Sequence, residues 1–148
     1  MCNSLPDKES ILSDLWFCRG ALAAEINDGE FASKYQAKLL ATTLERIPSP
    51  KTKDDHGTLA VAYNEMGIGH MMCGRVDDAV ELFENAQIHS GLFKKRSDMI
   101  FSQYMFACTN LGLAQWMQQR NEDALSTLTE LYSQYAKRRL IDKETSWV

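Results

Sequence analysis

Three glycines in the chain are each followed, twelve residues later, by an alanine. These pairs are Gly20 with Ala32, Gly67 with Ala79, and Gly112 with Ala124. The glycines are 47 and then 45 residues apart, a period within the range of helical repeat proteins. Small residues at such positions let two helices cross with their axes roughly 8–10 Å apart. The spacing therefore predicts three similar helical hairpins.

Six stretches of the chain carry apolar residues at every third or fourth position, the pattern of amphipathic helices. They cover roughly 10–26, 31–47, 58–72, 76–89, 97–117 and 122–139. Only three prolines and eight glycines occur among 148 residues, which argues against a β-protein rich in turns. Pairs of acidic residues fall at two predicted helix starts, where negative charge complements the helix dipole. We therefore predict an all-α solenoid.

The predicted domain organisation has three parts. They are a flexible N-terminus at residues 1–9, a three-repeat helical domain at 10–139, and a C-terminal tail at 140–148. The repeats are expected to span about residues 10–50, 55–90 and 95–138. The register of the first repeat stays open, because Gly29 can be aligned with Gly74 instead of Gly20 with Gly67.

The residues at the repeated positions resemble the signature of the tetratricopeptide repeat family. The matching residues are Trp16, Gly20 and Ala32 in the first unit, Tyr63, Gly67, Ala79 and Phe83 in the second, and Gly112, Ala124 and Leu128 in the third. The period exceeds the 34 residues of a plain repeat. In this it is similar to the long-repeat variant of kinesin light chains and of fungal and bacterial repeat proteins. The resemblance implies a right-handed α-solenoid of helix-turn-helix repeats.

In this family the first helix of each pair lines a concave groove, which implies a set of candidate binding residues. They are Asn64, Glu65, Ile68 and Met71 in the second pair and Thr109, Asn110, Leu113 and Trp116 in the third, with Met72 and Met117 beside them. The first pair offers Phe17, Ala21, Ala24 and Glu25. Relatives that clamp a carboxylate use Lys or Arg at such positions, and none occurs here, so an acidic tail is not the expected ligand.

The two asparagines of this set, Asn64 and Asn110, stand out because asparagine is not favoured in a helix interior. Their amides can bond a peptide backbone, and Met and Trp side chains nearby supply an adaptable apolar surface. The alternative interpretation makes Met71, Met72 and Trp116 core residues between neighbouring helices. The residues alone leave both interpretations open.

Motifs for catalysis are absent from the sequence. It lacks a phosphate-binding loop, a dinucleotide-binding glycine run, a nucleophile elbow and a zinc-protease motif, so we expect no enzyme and no cofactor. His56, His70 and His89 are expected to lie far apart on different predicted elements, and the four cysteines are scattered, so no metal site is expected. Such lone cysteines indicate a reducing compartment, and we predict the cytoplasm, with the nucleus left open.

The charge and hydropathy of the chain bear on its partners. A net charge of −4 gives no field that attracts nucleic acid, and no apolar run is long enough to span a membrane. The predicted function is a non-catalytic scaffold that binds a peptide or a partner helix in the concave groove. The alternatives are an oligomerisation module, or a shortened piece of a longer array that self-associates through its C-terminal repeat. Both alternatives are suggested by an apolar stripe on the sixth predicted helix, at Leu125, Leu128, Leu131 and Tyr135.

Overall fold

The structure is a computed structural model that describes residues 7–93 and 97–145, with side chains as far as residue 139. Its elements are α1 (Lys8–Glu25), α2 (Gly29–Arg46), α3 (Lys53–Met72), α4 (Val76–Gly91), α5 (Asp98–Met117) and α6 (Asn121–Thr145). Within the described ranges the chain has no strand, so the predicted all-α fold class is confirmed. The helices form three consecutive hairpins, α1–α2, α3–α4 and α5–α6.

Several helix boundaries differ from the sequence prediction, including the following three. Asp7 caps α1 by accepting the Ser10 N–H at 2.6 Å, so the helix begins inside the segment predicted to be flexible. A capping box between Thr52 and Asp55 starts α3 five residues earlier than expected. Helix α6 continues to Thr145, so six residues of the predicted tail are helical. The rest of both predicted termini, residues 1–6 and 146–148, lies outside the described residues.

The turn inside each hairpin contains one residue in the left-handed region. These residues are Asn27 (φ 58°), Gly74 (φ 72°) and Gln119 (φ 63°), and they are 47 and 45 residues apart like the three glycines. Glycine and asparagine adopt this conformation most easily among L-residues. Asn27 therefore takes the place of Gly74 in the first hairpin. This supports the register that aligns Gly20 with Gly67 over the one that aligns Gly29 with Gly74.

The repeated glycines lie where the two helices of a hairpin cross. A Cβ atom on Gly67 would come within 2.6 Å of the Phe83 ring, and one on Gly112 within 2.9 Å of Leu128. A Cβ atom on Gly20 would come within 2.9 Å of the Gln36 side chain, and Gln36 is the counterpart of Phe83. The three partner alanines, Ala32, Ala79 and Ala124, are buried. In the structure these small residues therefore lie where a larger side chain would meet the neighbouring helix.

The hairpins pack against one another in chain order. Each helix contacts the next, and the first helices of neighbouring hairpins, α1 with α3 and α3 with α5, also touch. At the junction between the second and third hairpins, Phe83 and Val80 of α4 pack against Leu111 and Ala114 of α5. Ile68 of α3 packs onto the same cluster. Helix α5 thus rests on both helices of the preceding hairpin.

Candidate protein-binding surface

The α3 half of the predicted binding set is internal. Asn64 is only 1% exposed, and its Nδ2 donates to the Gln103 backbone carbonyl at 3.1 Å and to the Gln103 Oε1 at 2.9 Å. Ile68 and Met71 pack on the apolar cluster shared by α4 and α5. The expectation that Asn64 faces a ligand is therefore wrong, because α5 covers it. For Met71 the structure matches the alternative of a residue between helices.

Glu65 faces the preceding hairpin instead. The Nε2 of Gln36, a buried residue of α2, lies 3.4 Å from a carboxylate oxygen of Glu65. Burial raises the pKa of the Glu65 carboxyl, and the bond from Gln36 only partly opposes this. The Oε1 of Gln36 has no hydrogen-bond partner among the described residues. Glu65 thus lies at the contact between α2 and α3, where burial disfavours the ionised form of its carboxyl.

The α5 half of the predicted set lies at the surface. Trp116 is 62% exposed and Leu113 is 46% exposed, so the core alternative does not hold for Trp116 in the described part of the chain. The Thr109 hydroxyl donates to the Met105 carbonyl at 2.8 Å. The Asn110 amide donates to Phe106 at 3.0 Å, also within α5. Because the polar groups of Thr109 and Asn110 bond within α5, the surface that this half presents is mainly apolar.

An open apolar groove of about 630 Å³ runs between α5 and α6. Its lining residues are Thr109, Gly112, Leu113 and Trp116 of α5, and Asn121, Ala124, Leu125 and Leu128 of α6. We call it the α5–α6 groove. A second depression, which includes Phe106 and shares Thr109, extends the same face of α5. Of the stripe expected on α6, Leu125 and Leu128 are exposed, whereas Leu131 packs against a separate buried cluster.

The lining of the α5–α6 groove repeats residues that are covered one hairpin earlier. Thr109, Leu113 and Trp116 come 45 residues after Asn64, Ile68 and Met71, and Leu125 and Leu128 come 45 residues after Val80 and Phe83. The earlier set lies beneath or against α5. None of the described helices lies over the later set in the same way. The sequence expectation therefore selected equivalent positions, which are covered in α3 and open in α5. In the first hairpin Phe17 and Glu25 are also exposed, and Ala21 and Ala24 are partly buried.

Polar side chains at the turn between α5 and α6 have partners within the chain. Arg120 pairs with Asp123 at 2.8 Å at the start of α6. Gln118 donates to Asp77 at 2.6 Å, which ties the end of α5 to the start of α4. The apolar walls therefore dominate what the groove offers to a ligand, and this is the chemistry that receives an amphipathic helix.

A histidine pair was missed by the sequence analysis. The Nδ1 atoms of His56 on α3 and His89 on α4 lie 2.8 Å apart, with Tyr63 stacked on His89 and Phe93 edge-on to His56. The expectation that these histidines lie apart is wrong, because the α3–α4 hairpin returns the chain to its start. Burial lowers the pKa of His89, and the charge of His56 lowers it further. A hydrophobic pattern gives no signal for such a contact.

His70 is a third histidine with a separate role. Its Nδ1 accepts from Arg75 Nε at 3.2 Å and lies 3.4 Å from Asp78. Burial lowers the pKa of His70 most, Arg75 adds to the effect, and Asp78 opposes it. A neutral ring that accepts from Arg75 fits this balance better than an ion pair with Asp78. The described residues contain no group of three or more side chains placed to hold a metal ion.

Comparison of the chain with protein-family models, curated proteins and solved structures gives no match. None of the described helices is both long enough and apolar enough to cross a membrane. The features of the molecule that bear on function are therefore the equivalence between the three hairpins and the groove that this equivalence identifies.

Proposed function

We propose that the protein is a non-catalytic interaction module, a short tetratricopeptide-like α-solenoid that binds an amphipathic helix of a partner protein in the α5–α6 groove. One observation carries the proposal. The groove has the residue positions on which α5 rests at the preceding junction, but here they are open. Leu125 is 68% exposed, whereas its counterpart Val80 is buried by α5.

The equivalence of the hairpins supports the solenoid part of this proposal. The left-handed turn residues, the glycines at the crossings and the buried alanines recur with the same offsets. An array of this kind adds hairpins by placing each new first helix on the last pair, so its end presents a helix-binding surface. A partner helix in the groove would extend the same packing.

Helix α5 indicates what a partner helix should look like. It buries Ala107, Leu111 and Ala114, which lie on one face at helical spacing, and the latter two contact α4. We therefore expect a partner helix with small and aliphatic residues at positions i, i+4 and i+7. Binding would follow the helix-in-groove mode, in which a few apolar anchors supply most of the affinity.

The test uses a fluorescently labelled peptide with the sequence of residues 97–118, extended by a solubilising tag. Its anisotropy should rise on titration with the intact protein. Leu125→Glu should weaken this binding roughly 10-fold or more, because a carboxylate replaces a leucine that the complex buries. Ile88→Glu is the matched control, since Ile88 is similarly exposed but does not line the groove.

Equal affinity of the wild type and the Leu125→Glu variant would contradict the groove assignment. Absence of any binding by a folded wild-type protein would contradict the proposed function itself. Circular dichroism on each variant separates these results from unfolding.

A further inference from the structure

Helix α1 and its C-cap residue carry an apolar stripe on the outer side. The stripe consists of Ile11, Leu15, Cys18, Leu22 and Ile26, all exposed and spaced by three or four residues. We call these residues the α1 stripe. Leu22 alone is 64% exposed, so the stripe is not part of the core of the described chain. Such a row of large apolar residues on one helix face is typical of a surface that packs on another element.

The α1 stripe has counterparts on the other two first helices. Those of Leu15 are Ala62 and Ala107, and those of Leu22 are Gly69 and Ala114. All four counterparts are buried. Gly69 packs so closely on α2 that a Cβ atom on it would come within 2.9 Å of the Ser33 Cα. In α3 and α5 these positions therefore face the preceding hairpin.

The receiving side of each junction is also repeated. Ser33 of α2, Val80 of α4 and Leu125 of α6 are equivalent, at offsets of 47 and 45 residues. The first two are buried, and Leu125 is exposed. Among the described residues, one half of the chain's own junction is thus exposed on α1 and the complementary half on α5 and α6.

The two exposed halves differ from the internal junctions in side-chain size. Leu15 and Leu22 replace the alanines and glycine of α3 and α5, and they would need a wider groove. The α5–α6 groove has Leu128 where the preceding hairpin has the larger Phe83. It leaves an open volume of about 630 Å³. Leu125 is in turn larger than its counterpart Val80, so a contact between two copies would set the helices further apart than the internal junction does and would bury more apolar side chain.

We propose that α1 of one copy docks into the α5–α6 groove of a second copy, so that copies of this chain associate head to tail. The inference rests on the proposed function, because it names the helix that occupies the same groove. Helix α1 departs from the expected partner pattern at Arg19, the counterpart of Leu111, whose guanidinium lies over the Trp16 and Tyr35 rings. By the equivalence of the junctions, Leu22 of one copy lies opposite Leu125 of the next. The two surfaces are different, so each added copy leaves one of each kind open, and growth continues unless a ring closes.

The test is a complementation experiment with Leu22→Glu and Leu125→Glu, measured by sedimentation velocity. The sedimentation coefficient of the wild-type protein should rise with concentration. Each variant alone should keep the sedimentation coefficient of a monomer, with the 16.8 kDa mass of one chain. An equimolar mixture should form a species of about twice that mass and nothing larger. One intact α1 stripe then meets one intact groove, and the two remaining ends both carry the introduced glutamate.

Ile88→Glu, on an exposed site outside both surfaces, should associate like the wild type. Leu22→Ser and Leu125→Ser provide a second, uncharged pair of variants if either glutamate lowers the melting temperature. The α5 peptide should still bind to Leu22→Glu, since its groove is intact.

Two results would overturn the head-to-tail inference. The first is a wild-type protein that stays monomeric up to its solubility limit; peptide binding in the groove would then leave the proposed function standing. The second is a Leu22→Glu variant that associates like the wild type, which indicates a symmetric contact through α6. If the folded wild-type protein also fails to bind the α5 peptide, the proposed function is overturned together with the head-to-tail inference.

Discussion

The Nδ1 atoms of His56 and His89 lie 2.8 Å apart and join the first turn of α3 to the last turn of α4. At this distance one nitrogen donates and the other accepts, so the two Nδ1 atoms cannot both carry a hydrogen. Tyr63 stacks on His89 at a centroid distance of 5.6 Å and helps to enclose the pair. The contact closes the open end of the α3–α4 hairpin and favours a state with at least one neutral ring.

Stability should therefore depend on pH through His89. Its pKa in the folded protein is below the ordinary value of 6.5, so its contribution is fully present above that value and is lost as pH falls through the folded pKa. We expect the wild-type melting temperature to fall between about pH 7.5 and about pH 5. His89→Phe keeps the ring stack but cannot titrate, so its curve should be flatter. Parallel curves for the two proteins would show that the pair does not act in this way.

Glu65 should give a pH dependence of the opposite sign. Burial raises the pKa of its carboxyl in the folded protein above the ordinary value of 4.5, so ionised Glu65 costs stability at neutral pH. Glu65→Gln should raise the melting temperature at pH 7, and the gain should disappear as pH falls to about 4. Glu130, an exposed glutamate on α6, provides the control as Glu130→Gln, which should change little. A gain that is the same at both pH values would argue against desolvation as its cause.

The glycines at the helix crossings should differ in their tolerance of a methyl group. Gly67→Ala places a Cβ against the fully buried Phe83 ring and should lower the free energy of unfolding by about 1–3 kcal/mol. Gly112→Ala meets Leu128, which is partly exposed and has room to turn away, so its cost should be smaller. Urea denaturation of both variants measures the difference. An equal or reversed order would contradict the rigidity that we assign to the Phe83 contact.

Asn64 should act on stability and not on partner binding. Asn64→Ala removes two hydrogen bonds to Gln103 in the interior and should cost about 1–3 kcal/mol. Asn110→Ala is the matched control. The Asn110 amide bonds only a carbonyl of its own helix at a partly exposed site. Loss of this bond should therefore lower the free energy of unfolding by less than about 1 kcal/mol. Chemical denaturation measures both costs, and a larger cost for Asn110 would reverse our assignment of the two asparagines.

The resemblance to tetratricopeptide repeats predicts that Asn64 and Thr109 both line the binding groove. They are indeed equivalent in position, 45 residues apart. Their surroundings differ because α5 covers Asn64, whereas no described helix lies in that way over Thr109. Sequence periodicity identifies a helix face but does not tell which copy of that face has a neighbour. The His56–His89 contact was missed for a related reason, since 33 residues separate two rings that a hairpin brings together.

The sequence by itself determined the six helices, the turns between them and the positions where a small residue is needed. These features are local, or they repeat with a fixed offset, because helix periodicity, capping and close crossing depend on the residue type at each position. Only the tertiary structure decided which of the equivalent faces are buried. Burial depends on what packs next to a helix, so Val80 became core while Leu125 stayed exposed. The same difference leaves Leu22 on the surface while Ala114, its counterpart, lies inside.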